Sequence, residues 1–390
     1  MKSYKYRISP TPTQEKALNA TLTTCRFLYN DALAQRIDKY KTEKKSLSYV
    51  DQANWMAEHK NDYQKAVHSQ VLQSTLKRLD KSFKRFFEGL KKKQKVGFPR
   101  FKNEQRFKSF IYPQSGFRLT NGDRRISLSK IGNIRIKYSR PTEGTIKTCQ
   151  VLKDVDQWFV ILTCEVEVVK MPESTKPDVG VDLGIKTLAY LSDGNKIENP
   201  RTLKRSEKKL HHEQRLLSKK EKGKNNRRRQ RTVVAKIHRK IRRQRDDFLH
   251  KTSTWLVTNY GGIAFEDLNI SGMLKNHCLA KHIADASWNK LVNMTSYKAE
   301  YAGGRVALVD PRGTSQRCSD CGERVPKTLA DRTHSCHHCG LIMDRDENAA
   351  LNIKKLNTAG SAEIYACGGN VRPVGTSVSV GTSVSVGSCL

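Results

Sequence analysis

Two cysteine pairs carry the most specific chemistry in this chain. Cys318-Ser-Asp-Cys321 is followed, after a spacer of fourteen residues, by Cys336-His-His-Cys339. Paired CxxC motifs at this distance read as a zinc ribbon, and four thiolates close a tetrahedral shell. A catalytic zinc needs an open position, so this metal is expected to be structural. His334, His337 and His338 lie close by, but the two between the second cysteine pair are expected to be exposed rather than ligating. Just beyond Gly340 comes Asp344-Arg-Asp346-Glu-Asn348, opening a helical pattern. Negative charge is favoured at a helix N-terminus, so capping accounts for one of these acids but not for both.

Two more carboxylates sit where strands end. In VGVDLG, Asp182 shares a strand face with Gly180 and Gly184. The two missing side chains predict an open shelf around one carboxylate, with room for a cation and a phosphate. An aspartate near a turn is the plain alternative. In AFEDL, Glu266 and Asp267 point to opposite faces, so one of them can face a site. Three acidic elements, two on strands and one on a helix, could hold a pair of Mg²⁺ or Mn²⁺ ions, which suit hard oxygen ligands. That combination points to phosphodiester hydrolysis. The strand–strand–helix order, with a long interval between the strands, fits a ribonuclease-H-like fold.

The elements that must position these residues are legible as patterns. Residues 4–9 alternate as a strand, and a helix is expected from about Thr13 to Lys41. A second helix spans about Ser69 to Leu90, with Leu72, Leu76, Leu79 and Phe83 on one face. The basic loop KKKQKVGFPRFKNEQRF follows, and Phe98, Phe101 and Phe107 in it could stack on bases or pack in a core. From about 108 to 170 a period of two predicts short antiparallel strands, which together with the first strand could close a small barrel. Residues 201–251 predict two basic helices joined by a charged turn. Strands are expected at GGIAFEDL and GGRVALVDP, with a helix over 283–301 between them.

The fold class expected is therefore α+β and multi-domain. Residues 1–11 and 93–172 form the β-barrel domain, and 12–92 a helical insertion. Residues 173–311 form the nuclease-like α/β domain with a basic hairpin at 201–258. Residues 312–343 are the inserted zinc ribbon, and 344–356 complete the α/β domain. Residues 357–390, with GTSVSVGTSVSVG, form a low-complexity tail expected to be disordered.

The chain has 390 residues and a formal net charge of +35. Such an excess needs a polyanion to neutralise it, and nucleic acid is the natural one. Lys77, Lys84, Arg227, Arg228, Arg229, Arg231, Lys240 and Arg243 are the expected backbone contacts. A membrane partner is not expected, because no apolar run approaches roughly 18 residues. The polar N-terminus does not read as a secretory signal. Ten cysteines without disulfide-like spacing beyond the paired motif point to a reducing cytoplasm.

These features occur in a set order. RFLYN (26–30), VGFPRFK (96–102), GVDLGIKTLA (180–189), DFLHK (247–251), FEDL (265–268), TSQRCSDCG (314–322), CHHCG (336–340) and DRDENAALNI (344–353) together resemble TnpB. TnpB proteins are RNA-guided nucleases of bacterial insertion sequences, related to type V CRISPR effectors. The resemblance covers about residues 1–355. It implies a RuvC-like nuclease with catalytic, Mg²⁺-binding positions at Asp182, Glu266 and Asp346, and Asp344 as a secondary acid. It implies a guide RNA from the 3′ end of the same element and double-stranded target DNA cut by one site acting on both strands in turn. A short DNA motif beside the target would be read by Tyr49, Ser69, Gln70 and Gln73, and family members can carry Lys at the position of Ser69. The expected protein is a monomer associated with the nucleoid.

Overall fold

A computed structural model of the protein describes residues 1–122, 124–167, 171–328, 331–358 and 363–364. The chain divides into two compact units, Met1–Val168 and Val169–Leu390. Among the described residues, no helix is long and apolar enough to cross a membrane.

In the first unit, β1 (Lys2–Ser9) leads into α1 (Pro12–Glu43), α2 (Tyr49–Glu58), α3 (Asp62–Lys65) and α4 (Ser69–Lys91). Then come β2 (Ser109–Tyr112), β3 (Phe117–Thr120), β4 (Arg125–Leu128), β5 (Gly132–Lys137), β6 (Thr145–Asp154) and β7 (Gln157–Glu165). The helix α1 begins at Pro12, capped by Thr11, slightly before the expected start near Thr13. The Thr11 hydroxyl accepts from Gln14 N–H, and the Gln14 side chain accepts from Thr11 N–H, satisfying two donors at once. The helix α2 falls between the two expected helices, and Ser48 opens it with the same reciprocal cap.

The seven strands form an antiparallel sheet in the order β2-β6-β7-β1-β5-β4-β3. No pairing joins the edge strands β2 and β3 among the described residues, so the expected closed barrel is an open sheet. On β1, alternate residues Tyr4, Tyr6 and Ile8 are buried opposite Leu162, Val160 and Trp158 of β7. Leu18, Leu22, Cys25 and Leu33 of α1 join Val71, Leu72, Leu76 and Leu79 of α4 in the same core.

The second unit holds β8 (Val179–Leu183), β9 (Thr187–Leu191), β10 (Lys196–Glu198), α5 (Thr202–Ser218), α6 (Asn225–Asn259) and β11 (Gly262–Glu266). It continues with α7 (Ile270–Met273), α8 (His277–Ala286), α9 (Trp288–Tyr301), β12 (Arg305–Val309), β13 (Thr333–Ser335), β14 (Ile342–Asp344), α10 (Arg345–Thr358) and β15 (Glu363–Ile364). The helix expected over 283–301 is two helices, broken at Ser287, which adopts a left-handed conformation at φ 55°. A mixed sheet runs β10-β9-β8-β11-β12-β15, with β8, β11 and β12 parallel. Val181, Leu183 and Phe265 face a core shared with Leu249, Leu256 and Leu291 from α6 and α9. Ala264 and Val309 face the other way, onto Ile353 of α10. Helices therefore cover both sheet faces, as parallel strands require. The helices α5 and α6 form a hairpin around Leu210, Val234, Ile237 and Ile241. The tail expected to be disordered from 357 instead starts inside α10 and contributes β15, while its repetitive segment, 375–387, lies outside the described residues.

Candidate active site and cysteine centre

Three carboxylates lie on the α10 side of this sheet. Gly180 pairs with Ala264 across the parallel β8–β11 ladder, which aligns the two strands. Side chains alternate, so Asp182 follows Gly180 and Glu266 follows Ala264 onto the face that packs α10. A Cβ on Gly180 would stand 2.5 Å from the backbone nitrogen of Lys354 and closer still to the carbonyl oxygen of Ala350. The space beside Asp182 is thus filled by α10 rather than forming the open shelf expected. A glycine there lets the helix approach the sheet, and the approach brings Asp346, in its first turn, toward Asp182.

Electrostatics follow from that proximity. The Asp182 carboxyl is held well above its usual range, first by burial and then by the charges of Glu266 and Asp346. Arg345 and the Leu183 N–H oppose the shift. Glu266 is also raised by burial, against a hydrogen bond from Thr314 Oγ1 at 2.5 Å. Asp267 is exposed, so Glu266 is the acid of that pair on the site face. Asp346 accepts from Arg345 Nη2 at 2.9 Å and Nε at 3.1 Å, with Arg332 at 3.9 Å from its other oxygen. Asp344 Oδ1 accepts from Asp346 N–H at 2.8 Å, so Asp344 is the capping acid of the two. Three half-buried carboxylates, one of them paired with Arg345, offer the hard oxygen donors that a divalent ion such as Mg²⁺ takes.

The four cysteines converge as well. Their sulfurs all lie within 4.8 Å of one another. Cys318 and Cys339 sulfurs are 3.5 Å apart, and those of Cys321 and Cys336 are 3.6 Å apart. Those spacings approach the edge of a tetrahedron with zinc–sulfur bonds of about 2.3 Å. Each pair ends in a tight turn through a left-handed glycine, Gly322 at φ 81° and Gly340 at φ 77°, where a side chain would be strained. Backbone N–H groups, that of Cys339 foremost, lower the Cys336 thiol to about 6, while burial and the neighbouring thiols raise Cys321 and Cys339, so the four share their protons as a cluster. His337 and His338 are exposed; His334 is fully buried beside Lys327.

Comparison with known proteins gives this arrangement a context. A family model described as "Probable transposase" (OrfB_IS605) matches residues 161–277, and one described as "Cas12f1-like, TNB domain" matches 288–353. A curated protein of Streptomyces pristinaespiralis named "Putative RNA-guided DNA endonuclease" is 37% identical over 383 residues, 95% of this chain and 92% of that protein. Its counterpart InsQ of Escherichia coli K12 is 33% identical, covering 94% of each. The chain belongs to the OrfB/TnpB family. Among solved structures, a mini-RNA-guided endonuclease, CRISPR-Cas_phi3, aligns over 91% of this chain and 92% of that one at 11% identity, with a TM-score of 0.46. A further family model, described as a helix-turn-helix domain, matches residues 1–45. In this TnpB-family chain that span is one strand and one uninterrupted 32-residue helix.

The basic and polar residues singled out in this TnpB-family chain have separate fates. Gln70, Gln73 and Lys77 recur on one face of α4, and the Lys77 ammonium lies 5.4 Å from the Tyr49 ring centre. Ser69, Gln73 and Lys77 are exposed. The Gln70 carbonyl oxygen is engaged by Ser115, accepting from its N–H at 3.1 Å and its hydroxyl at 3.0 Å. Lys84 pairs with Asp80 at 3.2 Å. Arg228, Arg229, Arg231, Lys240 and Arg243 are exposed on α6. Arg227 instead caps α5, donating to the carbonyls of Leu217, at 2.7 Å, and Lys220. Phe107 is core, whereas Phe98 and Phe101 are exposed.

Sequence reasoning passed over Thr314, Arg345, Asn348 and Asn352. The signal was present: two asparagines four residues apart inside an otherwise apolar helical stretch need buried partners.

Proposed function

We propose that this protein is an RNA-guided DNA endonuclease of a bacterial insertion sequence, cleaving double-stranded DNA beside a short motif with Mg²⁺ or Mn²⁺. The observation that supports the reading is that Asp182 and Glu266 lie on the sheet face covered by α10, whose first turn holds Asp346, and that burial and then the charges of Glu266 and Asp346 raise Asp182. The names of its curated relatives supply the guide and the substrate. The mixed sheet is read as ribonuclease-H-like. Bound divalent ions would activate a water and stabilise the leaving oxygen of the phosphodiester.

The chain's own part is to hold and orient. Asp182 and Asp346 would bind the cation from strand and helix, and Glu266 would do so in the rotamer fixed by Thr314. Deprotonated Asp182 is favoured once a cation replaces the repulsion of its neighbours. Arg345 offsets part of that repulsion beforehand. The four cysteines would hold zinc and no substrate, because a closed thiolate shell has no vacancy.

Specificity would come from base pairing between the guide and the target strand, leaving the protein to hold phosphates and read the motif. The α4 face with Ser69, Gln70 and Gln73, and Tyr49 beside it, is the proposed motif reader. The exposed arginines of α6 would take backbone phosphates. The guide would come from the 3′ end of the same element, and one protomer in the cytoplasm, on the nucleoid, would act alone.

Purifying the protein with its co-bound nucleic acid and sequencing that RNA tests the proposal. A discrete RNA ending in a variable stretch, mapping to the 3′ end of the gene's own element, is the expected result. Random RNA, or DNA alone, would undo the guide.

A further inference from the structure

The cysteine knuckle and the carboxylates are joined by a short chain of buried hydrogen bonds. Residues 314–319, which run into Cys318, lie along one face of α10. Asn352 Nδ2 donates to the carbonyl oxygens of Thr314 at 2.8 Å and Arg317 at 2.7 Å. Asn348 Nδ2 donates to Arg317 at 2.8 Å, and its Oδ1 accepts from the N–H of Ser319 at 2.8 Å. Lys355 reaches the Ser319 carbonyl. Positions 348, 352 and 355 recur at helical spacing, so one stripe of α10 grips the backbone on both sides of Cys318. Asn348 is wholly buried and Asn352 and Thr314 nearly so. From that gripped segment the Thr314 hydroxyl donates to Glu266 Oε1 at 2.5 Å.

The composition of this stripe is costly for a helix that merely covers a sheet. Asparagine is a weak helix former, and a buried amide without partners is destabilising. Ile353 is the residue that packs α10 against Ala264 and Val309, whereas the asparagines face the 314–319 segment. What the asparagines add is register: they fix the knuckle on the helix that carries Asp346. Thr314 extends the same register to Glu266. A hydroxyl on one carboxylate oxygen leaves the other free and aimed, the usual role of a group behind a metal ligand.

We propose that Thr314 is a positioning residue for Glu266, and that Asn348 and Asn352 clamp the cysteine knuckle to α10 so that metal at the cysteines sets the carboxylate geometry. The inference rests on the nuclease reading of the three carboxylates. Thr314 and the two asparagines touch no substrate. Their effect passes through Glu266 and through the placement of α10.

The test uses the full chain with its co-purified RNA and Mn²⁺ as the probe. Mn²⁺ binding is followed by electron paramagnetic resonance, zinc content by mass spectrometry, and α10 by hydrogen exchange. The site in question is the Mn²⁺ site that Asp182→Ala removes. Thr314→Val should weaken it about ten- to a hundredfold, with zinc content unchanged. Thr314→Ser, which keeps the hydroxyl, should restore it. Asn352→Leu should speed amide exchange over 345–352 while the zinc stays bound, and in the unaltered chain zinc chelation should do the same. Wild-type Mn²⁺ affinity in Thr314→Val, or in the unaltered chain after zinc is stripped, would overturn the proposal. A wild-type chain with no Mn²⁺ site sensitive to Asp182→Ala would instead sink the nuclease reading beneath it.

Discussion

Gly180 lies against the backbone of Ala350, and the contact is too close for any side chain. A Cβ at Gly180 would approach the Ala350 carbonyl oxygen and stand 2.5 Å from Lys354 N. Both obstacles are backbone, so neither can swing aside. The glycine therefore sets the distance between α10 and β8, and with it the distance between Asp346 and Asp182.

Gly180→Ala should push α10 off the sheet. Overpacking of this kind costs about 1–3 kcal/mol, and the shift should reduce DNA cleavage well beyond what that loss of stability explains. Thermal melting gives the first number and single-turnover cleavage at saturating Mg²⁺ the second. A variant melting and cutting like the wild type would show that α10 is not set by this contact.

Asp182 should make the metal-free protein pH-sensitive. Its folded-state pKa is raised, so the folded protein holds the proton more tightly than the unfolded chain does. Its contribution then favours folding below the unfolded carboxylate range and is lost as pH rises through the raised folded value. Asp182→Asn should therefore raise the metal-free melting temperature at neutral pH, by about 2–4 °C per kcal/mol recovered, and abolish cutting. Mg²⁺ should stabilise the wild type more at higher pH and should not stabilise the variant. Melting curves from acid to neutral pH, with and without Mg²⁺, decide it. A flat difference across that range would remove the carboxylate repulsion from the account.

The chemistry was more legible in the sequence than its supports. Cys318, Cys321, Cys336 and Cys339 declare themselves by spacing, because a tetrahedral site closes from two tight turns of fixed length. Asp182 and Glu266 could be placed on strands by alternation. The meaning of Gly180 was misjudged, since periodicity gives the face of a residue but not what packs there. A glycine that opens a ligand shelf and one that admits a helix look the same in one dimension. The barrel likewise needed strand order, and local alternation does not say whether β2 meets β3. Thr314 was invisible for another reason: its partner Glu266 is 48 residues away.

Loss of zinc should reach the nuclease site. Cys318→Ser removes a buried thiol from a set whose sulfurs lie within 4.8 Å of one another. The knuckle should lose its metal, and Asp346 should lose its placement through Asn348. Zinc content and cleavage should fall together. Full activity in a zinc-free variant would confine the cysteines to some other role.

The exposed arginines of α6 should set the salt dependence of nucleic-acid binding. Arg228, Arg229 and Arg231 are exposed, whereas Arg227 is engaged at the end of α5. Replacing the first three by Ala should flatten the slope of log affinity against log salt by roughly 0.7–0.9 for each phosphate no longer neutralised, with little change in melting temperature. Arg227→Ala should behave in the opposite way. It frees the carbonyls of Leu217 and Lys220 and loosens the α5–α6 hairpin, so it should lower stability by about 1 kcal/mol and leave the slope nearly unchanged. Filter binding across a salt series, set beside melting curves, separates the two effects. An unchanged slope in the triple variant would place the phosphate-binding cations elsewhere than on this helix, and a slope that flattens with Arg227→Ala would return that residue to the interface.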